Sequence, residues 1–588
     1  ILALSDPPYY TACPNPFISD FIKEWEQEKE KHYGSGEEEY HREPFASDVS
    51  EGKMDPVYNA HMYHTKVPYK AIMRYILHYT NPGDIVFDGF SGTGMTGLAA
   101  NMCGDLSTVE GLGYCVEPNG RIVASGMPIS KLGKRQVVLN DLSPVASYIA
   151  YNYNCTQNAA NFEEQAAHIL NQCEQELRWM YETDHIIDSE LQEDHNGNVI
   201  KGTVIYTVWS DVYLCPECGE EIVLWDDVTD KNVVKVSGEF KCRYCGVEVK
   251  KRNLDRAWTN VHDKFLNRTI RQSKSIPVLI NYRVGRKTFE KKPDEADSEL
   301  IDRINRMEVP YFVATEELPS GHNTDQPRNS HGFSHVHHFY TKRNLIVYAM
   351  LRQLAHECSS RSLDYWINSL DHGISQRVKH GNWSFPMSIL SGTLYIPSLR
   401  RENNPFHFYR TKYKKQSKVL LKTQGNSGVI STQSSTTMLM EDCSVDYIFT
   451  DPPFGANLMY SELNYLWESW LRIRTNNQEE AIINAKQDKG IEDYVSLMIG
   501  CFKEYFRILK PGRWLTVEFS NSKASIWNAI QEALQRSGFV IAGVTALDKK
   551  QGTHKAVTTT TAVKQDLVIS AYKPSTSMIE EIRTKENT

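Results

Sequence analysis

The chain has 588 residues, 40% apolar and 23% charged, and a formal net charge of −8 at pH 7, which gives room for two to four domains of ordinary globular composition. That balance excludes a protein that coats nucleic acid through bulk charge, though it leaves room for a local basic groove. No apolar run reaches the roughly 18–20 residues a membrane span needs.

In chain order, residues 1–60 form an N-terminal segment. It holds a first Asp-Pro-Pro-aromatic tetrapeptide (Asp6-Pro7-Pro8-Tyr9), a helix over "FISDFIKEWEQEKEKHY" and an acidic, Gly-rich connection. With Ile1 as its first residue and no basic-then-apolar leader, the chain reads as a trimmed or processed piece. Residues 61–155 turn to α/β texture. "PYKAIMRYILHYT" has helical spacing, "NPGD" a turn, "IVFDGF" a buried strand, and "SGTGMTGLAANMC" a Gly-rich loop entering a helix. "RQVVLND" is a second strand and "SPVASYIAYNYN" the helix behind it.

Residues 156–427 break the pattern. A charged helix (about 160–182) leads to the strand-like "VIYTVWSDVYLC", then a cysteine segment, and later the amphipathic "FYTKRNLIVYAMLRQLAHEC". From 428 to 575 the α/β texture returns: "GVIST", "VDYIFTD", the helix "SELNYLWESWLRI", the strand of "LKPGRWLTVEFSN", the helix "SIWNAIQEALQRSGF" and a last strand "DLVISAYKP", before a tail at 576–588. Strands alternating with helices predict a doubly wound, mostly parallel α/β sheet, interrupted here by a large α+β insertion.

Three constellations carry chemistry. In "DIVFDGFSGTGMTGLAA" a strand ends at Asp88, and Gly89, Gly92 and Gly94 let the backbone approach a ligand before the helix begins. No lysine follows, which disfavours a phosphate-gripping P-loop. The bland reading is a tight βα connection. Asp141, at the tip of the second strand, is placed to accept the two ribose hydroxyls of a nucleoside or to cap the next helix together with Ser143. "CPEC" (Cys215, Cys218) and "CRYC" (Cys242, Cys245), each followed by glycine, form a zinc-ribbon pattern over 211–250. Four thiolates at this spacing close a tetrahedral Zn²⁺ site, structural rather than catalytic. With twelve cysteines in all, the pairs point to metal in a reducing compartment, hence the cytoplasm. The second Asp-Pro-Pro-aromatic tetrapeptide, Asp451-Pro452-Pro453-Phe454, follows a six-residue strand and precedes a helix, whereas the copy at Asp6 has little before it and reads as a structural turn.

Asp-x-Phe-x-Gly-x-Gly followed far downstream by Asp-Pro-Pro-Phe resembles the S-adenosylmethionine-dependent amino-group (N6-adenine or N4-cytosine) DNA methyltransferases. The resemblance covers 64–150 and 428–573, with Gly89 where the family usually has proline. It implies a class I, Rossmann-like methyltransferase fold. It also implies a cofactor site of Thr65 and Lys66 (in "HTKVPYKAI"), Asp88, Gly89, Phe90, Gly92, Gly94, Asp141 and Ser434. At Asp451-Pro452-Pro453-Phe454 the family chemistry holds the amino group of a flipped base on the aspartate and a neighbouring carbonyl, with the aromatic ring stacked on the base. The motif order matches the alpha group, whose target-recognition region lies inside the catalytic domain. Were Asp6 catalytic, the order would be that of the beta group.

The resemblance therefore implies methyl transfer to duplex DNA, most readily to N6 of adenine, in a restriction-modification or phage-defence setting. Any nuclease or motor would be a separate chain, since no P-loop or nuclease cluster is present. N4-cytosine or RNA methylation and a catalytically silent DNA-recognition subunit remain alternatives. The zinc ribbon assigns the insertion to DNA recognition, with a stabilising knob as its plain counterpart. The basic, aromatic "RRENNPFHFYRTKYKKQSK" suits phosphate contact and stacking or a solvated loop equally. "SHVHHFYTK" (His335, His337, His338) lacks a partner carboxylate pattern and gives no metal site.

Overall fold

The computed structural model describes residues 10–34, 40–155, 161–227, 229–230, 235–236, 239–381, 389–521, 523–549 and 566–575. Asp6-Pro7-Pro8-Tyr9 and the tail at 576–588 lie outside them. The chain divides into two compact units, Ile1–Asn158 with Val419–Thr588, and Ala159–Lys418. Among the described residues no helix is long and apolar enough to cross a membrane.

The first unit is built on eight strands: β1 (Val49–Ser50), β2 (Ile85–Asp88), β3 (Gln136–Asp141), β4 (Val429–Thr432), β5 (Val445–Thr450), β6 (Leu509–Phe519), β7 (Val540–Asp548) and β8 (Asp566–Tyr572). They lie in the order β1-β7-β8-β6-β5-β2-β3-β4. All neighbours are parallel except β8, which runs antiparallel to both β6 and β7. This is the order of class I methyltransferases. β2 and β5 are mostly apolar and buried at every position, as strands covered on both faces are. Phe87 of β2 stands opposite Val138 on one side and Ile448 on the other. The chain leaves β2 towards β3 and β4, and leaves β5 towards β6. A crevice therefore opens beyond the carboxyl ends of β2 and β5, where doubly wound sheets bind ligands.

Helices α1 (Ile18–Tyr33), α2 (Tyr69–Tyr79), α3 (Met95–Met102), α4 (Pro144–Asn154), α5 (Tyr460–Leu471), α6 (Ile491–Ile508) and α7 (Ala524–Arg536) clothe this sheet. α4 starts with proline at its first turn, where the missing N–H costs nothing. α6 and β7 have no counterpart in the sequence reading. α6 buries Tyr494, Met498, Phe502 and Tyr505 in the core that also holds Phe87, Ile448 and Leu515. The N-terminal segment closes both sheet edges. Val49 pairs with Leu547 on β7, and at the far side the Cys13 N–H donates to Thr432 O at 2.8 Å while the Thr432 N–H returns 3.0 Å to Cys13 O.

The second unit centres on the long strand Lys201–Leu214, which pairs antiparallel with Ser275–Val284, Leu399–Asn403 and three shorter strands. The basic run at 400–418 is neither a loop nor a stacking surface. Its second half is helical from Pro405 onwards, and Phe406, Tyr409 and Tyr413 are buried. Tyr409 and Tyr413 pack edge-on to Trp366 at 5.3 and 5.9 Å, leaving Lys414, Lys415 and Lys418 exposed. The aromatic spacing in that run is that of a core-facing helix stripe.

Candidate active site and metal centre

Beyond β2, Asp88 ties down the Gly-rich loop at both ends. One carboxylate oxygen accepts the Phe90 N–H at 3.1 Å and the other the Thr96 hydroxyl at 2.6 Å. Gly89 has no room for a side chain, since a Cβ there would sit 2.0 Å from the Tyr505 hydroxyl. Gly94 is left-handed (φ +75°), and a Cβ would meet Asn154 at 2.5 Å. Gly92, also left-handed, donates its N–H to Asp141 at 2.8 Å, and the second Asp141 oxygen accepts the Ser143 N–H at 2.8 Å. Asp141 is thus both the organiser of the β3–α4 turn and a wall of the cavity. Burial pushes the Asp88 carboxyl up to about 7 and Asp141 up to about 6, against the hydrogen bonds that lower them.

β5 delivers Asp451 at its tip. The loop after it is held by its carbonyls: Tyr494 of α6 donates its hydroxyl to Pro453 O at 2.8 Å, Asn521 donates to Phe454 O at 2.9 Å, and the Ile483 N–H to Gly455 O at 3.2 Å. Asp451 Oδ1 is buried without a hydrogen-bond partner. Burial first, then repulsion from Glu518, hold this carboxyl well above the usual carboxylate range, against the attraction of Lys549.

One cavity brings most of the sequence-named residues together: Thr65, Lys66, Asp88, Gly89, Phe90, Gly92, Asp141, Ser434, Asp451 and Pro453 line it. Gly94, Pro452 and Phe454 do not. The Phe454 ring packs edge-on to Phe519 at 5.2 Å. Lys66 lines the cavity with its stem, while its ammonium donates to Tyr58 O and, at 2.8 Å, to His61 O. Thr65 shares a 3.1 Å hydroxyl contact with Tyr460. Sequence reasoning missed Tyr63, Tyr460, Thr475, Glu479, Glu480 and Cys501, which also line the cavity. Their only signal was position: Tyr63 ahead of the Gly-rich segment, and the others on the stretch that follows Asp451. Besides Asp451 Oδ1, the hydroxyls of Ser91 and Thr93 in this wall are buried without partners. Orphaned polar atoms around one cavity are what a polar ligand would satisfy.

In the second unit Cys215, Cys218, Cys242 and Cys245 converge. The sulfurs of Cys215 and Cys245 lie 3.7 Å apart and those of Cys218 and Cys242 3.9 Å. Four sulfurs at tetrahedral positions about 2.3 Å from a zinc ion stand about 3.8 Å apart, so the donor set fits that ion. Left-handed Gly219 and Gly246 (φ +73° and +74°) turn each knuckle, donating their N–H groups to Cys215 O and Cys242 O at 2.9 and 2.8 Å.

The histidine run does gain a carboxylate: Asp263 Oδ2 lies 2.8 Å from His337 Nε2 and 2.9 Å from His338 Nε2. The His338 Nδ1 accepts the Ser334 N–H at 3.2 Å. Its proton therefore sits on Nε2 and is donated to Asp263, making this imidazole a hydrogen-bond donor rather than a metal ligand. Burial raises the Asp263 carboxyl, but the bonds from His337 and His338 hold it well below the usual range.

The sheet order and the cavity at its switch point define a class I methyltransferase fold. Residues 2–107 and 445–587 match the family model described as DNA methylase. Both Asp-Pro-Pro-aromatic copies fall inside the matched segments. Similar solved structures include a candidate DNA modification methylase from Thermus thermophilus complexed with S-adenosyl-L-methionine, at 14% identity over 23% of this chain and 50% of that one, with a TM-score of 0.15. Another is a SAM-dependent methyltransferase from Methanosarcina mazei, at 12% identity over 27% of this chain and 77% of that one, with a TM-score of 0.16. The chain spans about half the length of the first of these. Likenesses this slight carry no argument about function. No curated protein matches the chain.

Proposed function

We propose that the protein is an S-adenosylmethionine-dependent methyltransferase that modifies an exocyclic amino group of a DNA base, N6 of adenine in preference to N4 of cytosine. The observation that carries this reading is the unpartnered, buried Asp451 Oδ1 in the same cavity as the Gly-rich loop and Asp141. S-adenosylmethionine supplies an electrophilic methyl group. Asp141 has lone pairs left for ribose hydroxyls, Ser434 stands just past the end of β4 for the adenine, and Thr65, rather than Lys66, offers a polar group to the methionine end. Asp451 then accepts from the amino group of the target base and orients its nitrogen, while Tyr494 and Asn521 hold the loop that carries it. Catalysis of this kind is mostly positioning and a fixed acceptor.

The second unit is the target-recognition region in this reading, with a structural Zn²⁺ on the four cysteines. What supports duplex recognition is the antiparallel hairpin Trp258–Asp263 and Arg268–Ser273, whose Thr259, Asn260, His262, Arg268 and Arg271 are exposed. A two-stranded ribbon is one of the elements a major groove admits. A cytoplasmic setting, with any nuclease or motor on a separate chain, completes the proposal.

The test is transfer of labelled methyl from S-adenosylmethionine to mixed-sequence duplex DNA, single-stranded DNA and RNA, with the modified base identified by mass. N6-methyladenine in duplex DNA is the expected product. N4-methylcytosine would change the base assignment, and label on RNA alone the substrate. Cofactor binding without transfer to any of them would leave a silent recognition subunit.

A further inference from the structure

The carboxyl edge of the first unit's sheet carries more charge than the methyl-transfer reading uses. β5 is followed by Asp451, β6 carries Glu518 one residue before its end, and β7 is followed within one residue of its end by Lys549. β8 runs the other way, so its first residue, Asp566, falls on the same edge, opposite Leu547 of β7, while Glu518 stands opposite Val568. Glu518 is fully buried. The Lys549 ammonium forms ion pairs with Glu518 and, at 2.8 Å, with Asp566. Thr450 of β5 stands opposite Val517 of β6, so Asp451 and Glu518 are neighbours in this row, and three carboxylates and one ammonium from four different strands meet along the edge that carries Asp451 into the cavity.

We propose that Glu518 and Lys549 are a positioning pair that sets the ionisation of Asp451, Lys549 favouring the ionised acceptor and Glu518 opposing it. The inference rests on the reading of Asp451 as the group that holds the target amino nitrogen. To accept from an amino group the carboxyl must be free of its own proton. In a dry site beside another carboxylate that proton is retained, and a buried ammonium offsets the repulsion. The other charged groups bearing on Asp451 are Asp566 and Asp88, which oppose its ionisation, and Lys53, itself lowered first by burial and then by Lys549. The neighbouring phenols Tyr58 and Tyr460 are raised by burial and stay neutral. The plain alternative is that Lys549 only fastens β6, β7 and β8 together.

The experiment is the pH profile of kcat/KM for methyl transfer by the full chain and by Lys549→Met, Lys549→Arg and Glu518→Gln. Removing the ammonium is expected to move the acid limb up by about one pH unit, and removing the repelling carboxylate to move it down by a similar amount. Lys549→Arg keeps the cation and should stay near the parent. Limbs that stay put, or that move the same way in the Met and Gln variants, overturn the proposal, because a fastening role has no reason to act with opposite signs. A readout independent of methylation is the ¹³C titration of carboxyl-labelled aspartates, with the Asp451 resonance assigned by its loss in Asp451→Asn. If the parent transfers no methyl to any nucleic acid, the reading of the site fails. The opposite displacements of that resonance still sustain the coupling, and their absence removes it.

Discussion

The two halves of the cavity wall treat their carboxylates differently. On the side of β2 and β3, both oxygens of Asp88 and both of Asp141 hold groups of the protein itself. On the side of β5, Asp451 keeps an oxygen free although it is buried. A buried acceptor left without a donor costs on the order of 1–3 kcal/mol, a cost the carboxylates of Asp88 and Asp141 do not carry. The contrast separates carboxylates that build a loop from one that, in the reading proposed above, receives the target base.

The largest effect that would test this contrast is at the free oxygen. Asp451→Ala should lower methyl transfer by about a thousandfold or more while leaving cofactor affinity, measured by calorimetry, near the parent value; equal losses in both would erase the distinction. Next comes the candidate metal centre. Chelation, or Cys215→Ser, should abolish the ordered fold around the cysteine knuckles, seen as lost amide protection in hydrogen exchange over 211–256, because a closed thiolate site supplies folding energy outright. On the organising side, Asp141→Ala should weaken cofactor binding about 10- to 100-fold, the cost of charge-assisted hydrogen bonds. Tyr494→Phe frees only the Pro453 carbonyl and should lower kcat about three- to tenfold with KM for the cofactor unchanged.

The smallest effect is on stability. Asp88 and Asp141 have folded-state pKa values raised to about 7 and about 6, above those of an unfolded chain. The folded state therefore binds more protons between about pH 4 and 7, and stability falls as pH rises through that window. Buried histidines such as His331 and His380, lowered to about 4, act in the opposite direction, so the test is the difference between thermal melts of the parent and Asp88→Asn: the variant should lose part of the destabilisation between pH 5 and pH 8, and an unchanged pH dependence would contradict it.

Much of the sheet was legible because parallel central strands are short, mostly apolar and end in loop chemistry: "IVFD", "VVLND" and "VDYIFT" all lie on observed strands. β7 was not, since its residues alternate between half-buried and exposed and include Gly543 at a register shift. α6 passed unread because no motif drew the eye to it, although its buried stripe is regular. The cavity was legible at its motif residues. Tyr460, Glu480 and Cys501 arrive there only through tertiary packing, which a linear pattern does not record. The ring of Phe454, read from its letters as a stacking residue, packs edge-on against Phe519. Asp263 met the histidine run through a pairing 74 residues distant in sequence.

The most direct test of the central claim compares two aspartates in one assay. Label transfer from S-adenosylmethionine to duplex DNA is measured for the parent chain, Asp451→Ala and Asp6→Ala. The account predicts that label disappears with Asp451 and persists without Asp6. Loss in the Asp6 variant with transfer retained in the Asp451 variant would place the chemistry at the N-terminal tetrapeptide and contradict it.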